Sequence, residues 1–121
     1  MYMACKGYET HKDRISEAMG CMPDGDVVIY TSSFFDALGD PTRLRILLAL
    51  MGQELCTCDI SVITGLTPSA TSHQLRILRD RNIVAYTRRG KNVFYRLEDR
   101  HVRDVLTTAV EHVSEKYGRE V

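Results

Sequence analysis

Apolar positions recur at helical spacing through most of this chain and give way to strand-like runs in a single region, and that order of periods predicts the architecture. Residues 1–30 are mixed and polar; a short helix is expected near Thr10–Met19, followed by a loop containing Gly20, Pro23 and Gly25. Phe34, Phe35 and Leu38 then begin an apolar face. Asp40-Pro41 reads as a helix start, because the carboxylate accepts from unpaired backbone N–H groups and the fixed φ of proline suits the first helical position. Leu44, Leu47, Leu48 and Met51 continue that helix, and Gly52 closes it. A second helix is expected from about Cys58 to Thr64, with Ile60 and Ile63 facing inward. After the Gly65-Leu66 turn, Thr67-Pro68 starts a third helix running to about Arg81, with Leu75 and Leu78 on its apolar side and Ile77 extending it. Two helices joined by a short glycine-containing turn are the helix-turn-helix pattern.

The period then changes. Ile83–Arg88 and Val93–Leu97 are two runs of β-branched and aromatic residues around Arg89-Gly90-Lys91-Asn92, which predicts a β-hairpin, a wing directly after the helix-turn-helix. From Asp99 to about Tyr117 the helical period returns, with Val102, Val105, Leu106, Ala109, Val110 and Val113 on one broad face. The expected fold is mainly α with one β-hairpin, a winged helix-turn-helix. Residues 1–30 form an N-terminal arm and helix, and 31–121 the winged domain with its C-terminal helix.

With 121 residues, of which 44% are hydrophobic, one modest core is expected, and a partner subunit would add to its stability. The longest apolar run, Ile46–Met51, is far short of the roughly 20 residues needed to span a bilayer. The beginning of the sequence has no signal-peptide core, so a cytoplasmic protein with no membrane partner is expected. Formal net charge is zero, yet Ser69–Leu97 carries seven basic residues against the single acid Asp80, a local balance of +6. A basic block inside a neutral chain is an electrostatic footprint for phosphates.

The third helix opens with Ser69, Thr71, Ser72, His73 and Gln74, followed by Arg76. Hydroxyls donate to phosphates or base edges, glutamine can pair with adenine, and recognition helices read bases with their first turns. Arg88, Arg89 and Lys91 at the hairpin tip are placed for phosphate or the minor groove. His73 has two readings, a histidine packed into the turn or a DNA contact. Double-stranded DNA is therefore the expected partner. No nucleophile–base pair, phosphate loop or substrate-pocket signature points to an enzyme.

Four cysteines, at 5, 21, 56 and 58, point to metal ligation or redox sensing rather than disulfides in a reducing compartment. Cys56 and Cys58 lie two apart. On a regular helix they would point about 200° away from each other, but at a frayed helix start they can converge on one ion. Soft thiolates select ions such as Cd²⁺ and Pb²⁺, and also Zn²⁺. Two thiolates rarely complete a site, so Cys5 or Cys21 is a candidate further ligand. Asp99, His101, His112 and Glu115 form a second set. His101 and His112 share a helix face but sit about 16 Å apart along the axis, so one helix cannot supply both to one ion. Two such helices packed antiparallel across a two-fold axis could, with a nitrogen and oxygen donor set suited to Zn²⁺.

The stretches Leu38-Gly39-Asp40-Pro41-Thr42-Arg43-Leu44, Glu54-Leu55-Cys56-Thr57-Cys58-Asp59, Ser69-Ala70-Thr71-Ser72-His73-Gln74-Leu75 and Gly90-Lys91-Asn92-Val93-Phe94-Tyr95-Arg96-Leu97 together resemble the ArsR/SmtB family of metal-responsive repressors over about residues 31–117. The nearest resemblance is to its CadC-type sensors of cadmium, lead and zinc. The resemblance implies a homodimer, joined through its N- and C-terminal helices, that binds a palindromic operator and releases it when metal binds. It makes Glu54–Asp59 the family's thiolate box, with an arm cysteine such as Cys5 or Cys21 joining Cys56 and Cys58, and Asp99, His101, His112 and Glu115 the family's C-terminal helix site. Ser61 stands where some arsenic sensors carry a third cysteine. A thiol-based redox sensor and an arsenite sensor on the same scaffold remain the alternative readings.

Overall fold

The computed structural model describes residues 9–118, and the chain divides between Thr31 and Ser32 into two units. The first holds α1 (Lys12–Gly20) and the start of α2 (Gly25–Leu38). Helix α2 occupies most of a stretch expected to be loop. The reason is local: Val27, Val28, Ile29 and Tyr30 are consecutive apolar residues, so no spacing of three or four announces a helix there. All four are exposed. The breakers Gly20, Pro23 and Gly25 lie at or before its first residue, where they do not interrupt it.

In the second unit, α3 (Pro41–Ala49) begins where Asp40 Oδ2 accepts from the Arg43 backbone N–H at 3.0 Å, with proline in its first turn. A two-residue strand β1 (Leu55–Cys56) leads into α4 (Thr57–Thr64), and Gly65, in left-handed conformation at φ 74°, turns the chain. Helix α5 (Pro68–Asp80) is capped by Thr67, whose hydroxyl accepts from Ala70 N–H at 3.1 Å. It ends with Asn82 in the left-handed region, while Ile83 N–H donates to Leu78 C=O and Asn82 N–H to Arg79 C=O, the two bonds of a Schellman stop. Strands β2 (Val84–Arg89) and β3 (Asn92–Leu97) form the wing, with Arg89 opposite Asn92 and Gly90 at φ 61° in the two-residue turn. Helix α6 (Arg100–Tyr117) closes the chain and ends at Gly118.

The sheet order is β1-β3-β2, all antiparallel, with Leu55 opposite Tyr95 and Cys56 opposite Phe94. Strand β1 is a departure from the expected hairpin alone; at two residues it is too short to display a period. The core joins every element from α3 onward through Ile46, Leu47, Leu50, Leu55, Ile60, Leu75, Leu78, Ile83, Val84, Leu97, Val102 and Leu106. Ile63, expected inward with Ile60, is half exposed; it lies in the last turn of an eight-residue helix whose one buried residue is Ile60. Arg103 on α6 donates to the Met51 carbonyl, tying the last helix to the end of α3. No helix among the described residues is long and apolar enough to cross a membrane.

Candidate nucleic-acid interface and metal centres

Helix α5 presents two faces of different chemistry. Ser69, Ser72, His73 and Arg76 are exposed and, with Pro68, line one shallow depression of about 440 Å³. His73 is thus an outward residue, not a packed one. Thr71 corrects the expectation of a DNA contact: it is fully buried beside Leu75 and Leu78. Its hydroxyl donates to the Thr67 carbonyl at 2.9 Å and lies 2.9 Å from Ser61 Oγ. With its one proton committed to Thr67, Thr71 Oγ1 accepts from Ser61, so the pair joins α4 to α5. Gln74 likewise turns toward the protein. Its Oε1 accepts from Arg43 Nη1 at 3.3 Å, which takes up the acceptor that pairing with adenine would use. The same guanidinium donates to the Ala37 and Asp36 carbonyls at the end of α2. Positions 71, 74, 75 and 78 are one helical face, which explains why the two polar residues among them follow the leucines inward.

Much of the basic block is tied to the protein itself. Arg81 pairs with Asp36 at 3.1 Å, Arg96 donates to Thr87 Oγ1 at 2.9 Å, and Arg79 lies 5.4 Å over the Tyr86 ring. Arg89, expected at the DNA, donates from Nη2 to Glu54 at 3.1 Å and sits over Phe94. Among the described residues Arg76, Arg88 and Lys91 form no ion pair within 4.0 Å, and all three are exposed. The cations with no such tie are therefore on the outer face of α5 and at the wing tip.

The thiols at 56 and 58 stand where β1 becomes α4. Cys56 is the half-buried N-cap, and Cys58 is exposed on the first turn. Asp59 Oδ2 accepts from both the Cys56 backbone N–H and its thiol, each at 3.1 Å. Those two bonds, the thiol's first, hold the Asp59 carboxyl below the usual carboxylate range. Cys21 is exposed in the first unit, and Cys5 lies outside the described residues. Two thiols at one helix start fit a soft ion by donor chemistry, while the remaining ligands must come from elsewhere.

Asp99 caps α6, its Oδ1 accepting from Val102 N–H at 3.2 Å, and its Oδ2 is 3.4 Å from His101 Nδ1. The backbone bond from Val102, ahead of the neighbouring histidine, keeps its carboxyl below the ordinary range. His112 and Glu115 are exposed one turn apart near the other end of the helix. No three candidate ligands cluster among the described residues, so one chain brings Asp99 to His101 but neither to His112 or Glu115. The contacts of Glu54, Arg43 and Ser61 are not visible in the sequence. Their partners lie 35, 31 and 10 residues away, and no local spacing signals such pairs.

Residues 40–86 match the family model described as bacterial regulatory protein, arsR family. The chain is 40% identical over 105 residues to a transcriptional repressor SmtB homolog of Synechocystis sp., covering 87% of this chain and 80% of that protein. It is 34% identical over 113 residues to a cadmium resistance transcriptional regulatory protein CadC homolog of Staphylococcus aureus, covering 92% of each. In structure it resembles the AntR antimony-specific transcriptional repressor with a TM-score of 0.65 and 35% identity, over 78% of this chain and 83% of that one. Fold, helix-turn-helix geometry and these similarities together place the chain in the ArsR/SmtB family of bacterial transcriptional repressors, a family of metal-responsive regulators rather than enzymes.

Proposed function

We propose that this protein is a cytoplasmic metal-sensing repressor that binds operator DNA as a homodimer and is released from it by a soft or borderline ion, Cd²⁺, Pb²⁺ or Zn²⁺. The observation that carries the reading is the position of Cys56. It caps α4, pairs with the wing strand β3, and hydrogen-bonds Asp59 through its thiol.

On DNA, the outer face of α5 enters the major groove with Ser69, Ser72, His73 and Arg76, and Arg88 and Lys91 reach phosphate. Two copies meet through their exposed apolar surfaces. On α2 these include Val27, Val28 and Ile29. A groove of about 370 Å³ is lined by Phe35, Leu38, Val105, Ala109 and Val110.

A soft ion supplies strong bonds to thiolates. Cys56 and Cys58 hold it, joined by a donor from the N-terminal arm, Cys21 or Cys5. For Cys56 to serve as a ligand its thiol loses its proton and its bond to Asp59, and the start of α4 loses part of its cap. Helix α4 bears on α5 through Ser61 and Thr71, so a disturbed α4 re-aims the reading face. Asp99, His101, His112 and Glu115 supply a second, Zn²⁺-suited site across the dimer axis. Similarity to an antimony-specific repressor favours trivalent metalloids as the second ligand class for the same thiols.

The test is operator release. Cys56→Ser and Cys58→Ser proteins are expected to bind operator as the unsubstituted protein does and to remain bound at Cd²⁺ concentrations that release it. Normal release from the double variant overturns the thiolate mechanism.

A further inference from the structure

Glu54 and Arg89 lie far apart in sequence and meet where the thiol segment joins the wing. Arg89 Nη2 donates to both carboxylate oxygens of Glu54, at 3.1 and 3.4 Å, while its guanidinium carbon lies 5.1 Å over the Phe94 ring. Phe94 is the register partner of Cys56, and Glu54 precedes Cys56 by two residues. Cys56 is thus linked to Arg89 by two routes across the β1–β3 junction, along the chain through Glu54 and across the strand register through Phe94. Nε and Nη1 of Arg89 make no bond to Glu54, which leaves N–H donors directed away from the carboxylate for a phosphate. Arg88 and Lys91, its neighbours at the wing tip, have no ion-pair tether among the described residues. An exposed ion pair changes a folding equilibrium by about fivefold at most, so its consequence lies in where it aims Arg89 rather than in stability.

We infer that Glu54 is a positioning residue that couples the thiol segment to the wing: it holds Arg89 aimed at a DNA phosphate, and a soft ion that draws Cys56 out of its place in the sheet takes Arg89 off that phosphate. The inference rests on the thiolate reading proposed above. It gives the family box residue before Leu55-Cys56 a task distinct from ligation, and it makes the wing a second route to DNA beside the α4–α5 contact.

The experiment uses the full chain, unsubstituted and as Glu54→Gln, Arg89→Gln and the double variant. Each is measured for metal-free operator affinity across a salt series, for the ultraviolet thiolate-to-metal absorption band with Cd²⁺, and for operator affinity with Cd²⁺ bound. Glu54→Gln is expected to keep the band and to lose about three- to fivefold in metal-free affinity. Its salt slope is expected to fall by about 1.8 as one phosphate contact is lost from each protomer of the dimer. Cd²⁺ should then weaken its operator binding several-fold less than it weakens that of the unsubstituted protein. Arg89→Gln should behave alike, and the double variant no worse than either. Additive losses, tighter operator binding by Glu54→Gln, or an unaltered Cd²⁺ effect would each overturn the coupling, as would loss of the band in Glu54→Gln, which would make Glu54 a ligand. Absence of the band or of release in the unsubstituted protein overturns the thiolate reading itself, and the coupling with it, before any variant is compared.

Discussion

The two candidate ligand sets of this repressor differ in how they are joined to the DNA-reading elements. Cys56 is at once a strand residue paired with the wing, the cap of α4 and a hydrogen-bond donor to Asp59. Asp99, His101, His112 and Glu115 are exposed along one helix and its cap, two at each end, and only Asp99 has a structural task of its own, as the cap of α6. On the proposed function, metal at the first set would act within one chain on bonds that shape the reading face. Metal at the second would have to bring two chains together, because the two ends are about 16 Å apart. The proposal makes the first set a lever on the reading motif and the second a clamp on the dimer.

The largest test of that contrast removes each set in turn. Replacing both Cys56 and Cys58 with serine should abolish the effect of Cd²⁺ on operator affinity. For couplings of the usual size this effect is roughly 5- to 150-fold. Replacing both His101 and His112 with alanine should leave the Cd²⁺ effect within about twofold while removing Zn²⁺ held between protomers; equilibrium dialysis and fluorescence anisotropy on labelled operator separate the two. An equal loss in both variants would collapse the distinction between lever and clamp. Next in size is the wing. Arg88→Ala with Lys91→Ala removes two cations from each protomer and should lower the salt slope of operator binding by about 3.6 without changing the Cd²⁺ stoichiometry. An unchanged slope would place the unpaired cations off the DNA.

A smaller effect sharpens the route from thiol to reading helix. Thr71→Val removes the hydroxyl that accepts from Ser61 and donates to Thr67. It should cost about 1–3 kcal/mol of stability by urea unfolding and reduce the Cd²⁺ response in proportion. A stability loss with a full Cd²⁺ response would move the route to the wing. The smallest effect belongs to Asp99. Asparagine caps a helix about as well as aspartate, whereas alanine costs about 1 kcal/mol. Asp99→Asn should therefore unfold like the unsubstituted protein yet bind Zn²⁺ more weakly, and Asp99→Ala should lose both.

Most of the scaffold was legible because its signals are local. Asp40-Pro41 and Thr67-Pro68 announced two helix starts, Gly65 and Gly90 their turns, and both glycines adopt the positive φ those turns require. Helix α2 was read largely as loop because a run of adjacent apolar residues carries no helical period. Strand β1 escaped notice because two residues carry no period of any kind. At the DNA-reading face, the inventory of residue types was visible but their directions were not. Thr71 and Gln74 looked like Ser72 and His73 in sequence, and only their phase relative to Leu75 and Leu78 turns them inward. The basic block was equally visible, but which of its charges are free depends on Asp36 and Glu54, acids distant in sequence. The candidate donors of both sets are visible in the sequence. Their unequal connection to the reading motif is not, because it resides in the Cys56–Phe94 register and the bond to Asp59.

The proposal that Cys56 is both ligand and lever is decided by titrating the reduced protein with Cd²⁺ while following the ultraviolet thiolate-to-metal absorption and operator anisotropy on the same samples, for the unsubstituted chain and Cys56→Ser. A band that grows in step with operator release is expected in the unsubstituted chain, and neither signal in the variant. Release that proceeds without the band, or in the variant as in the unsubstituted chain, would contradict it.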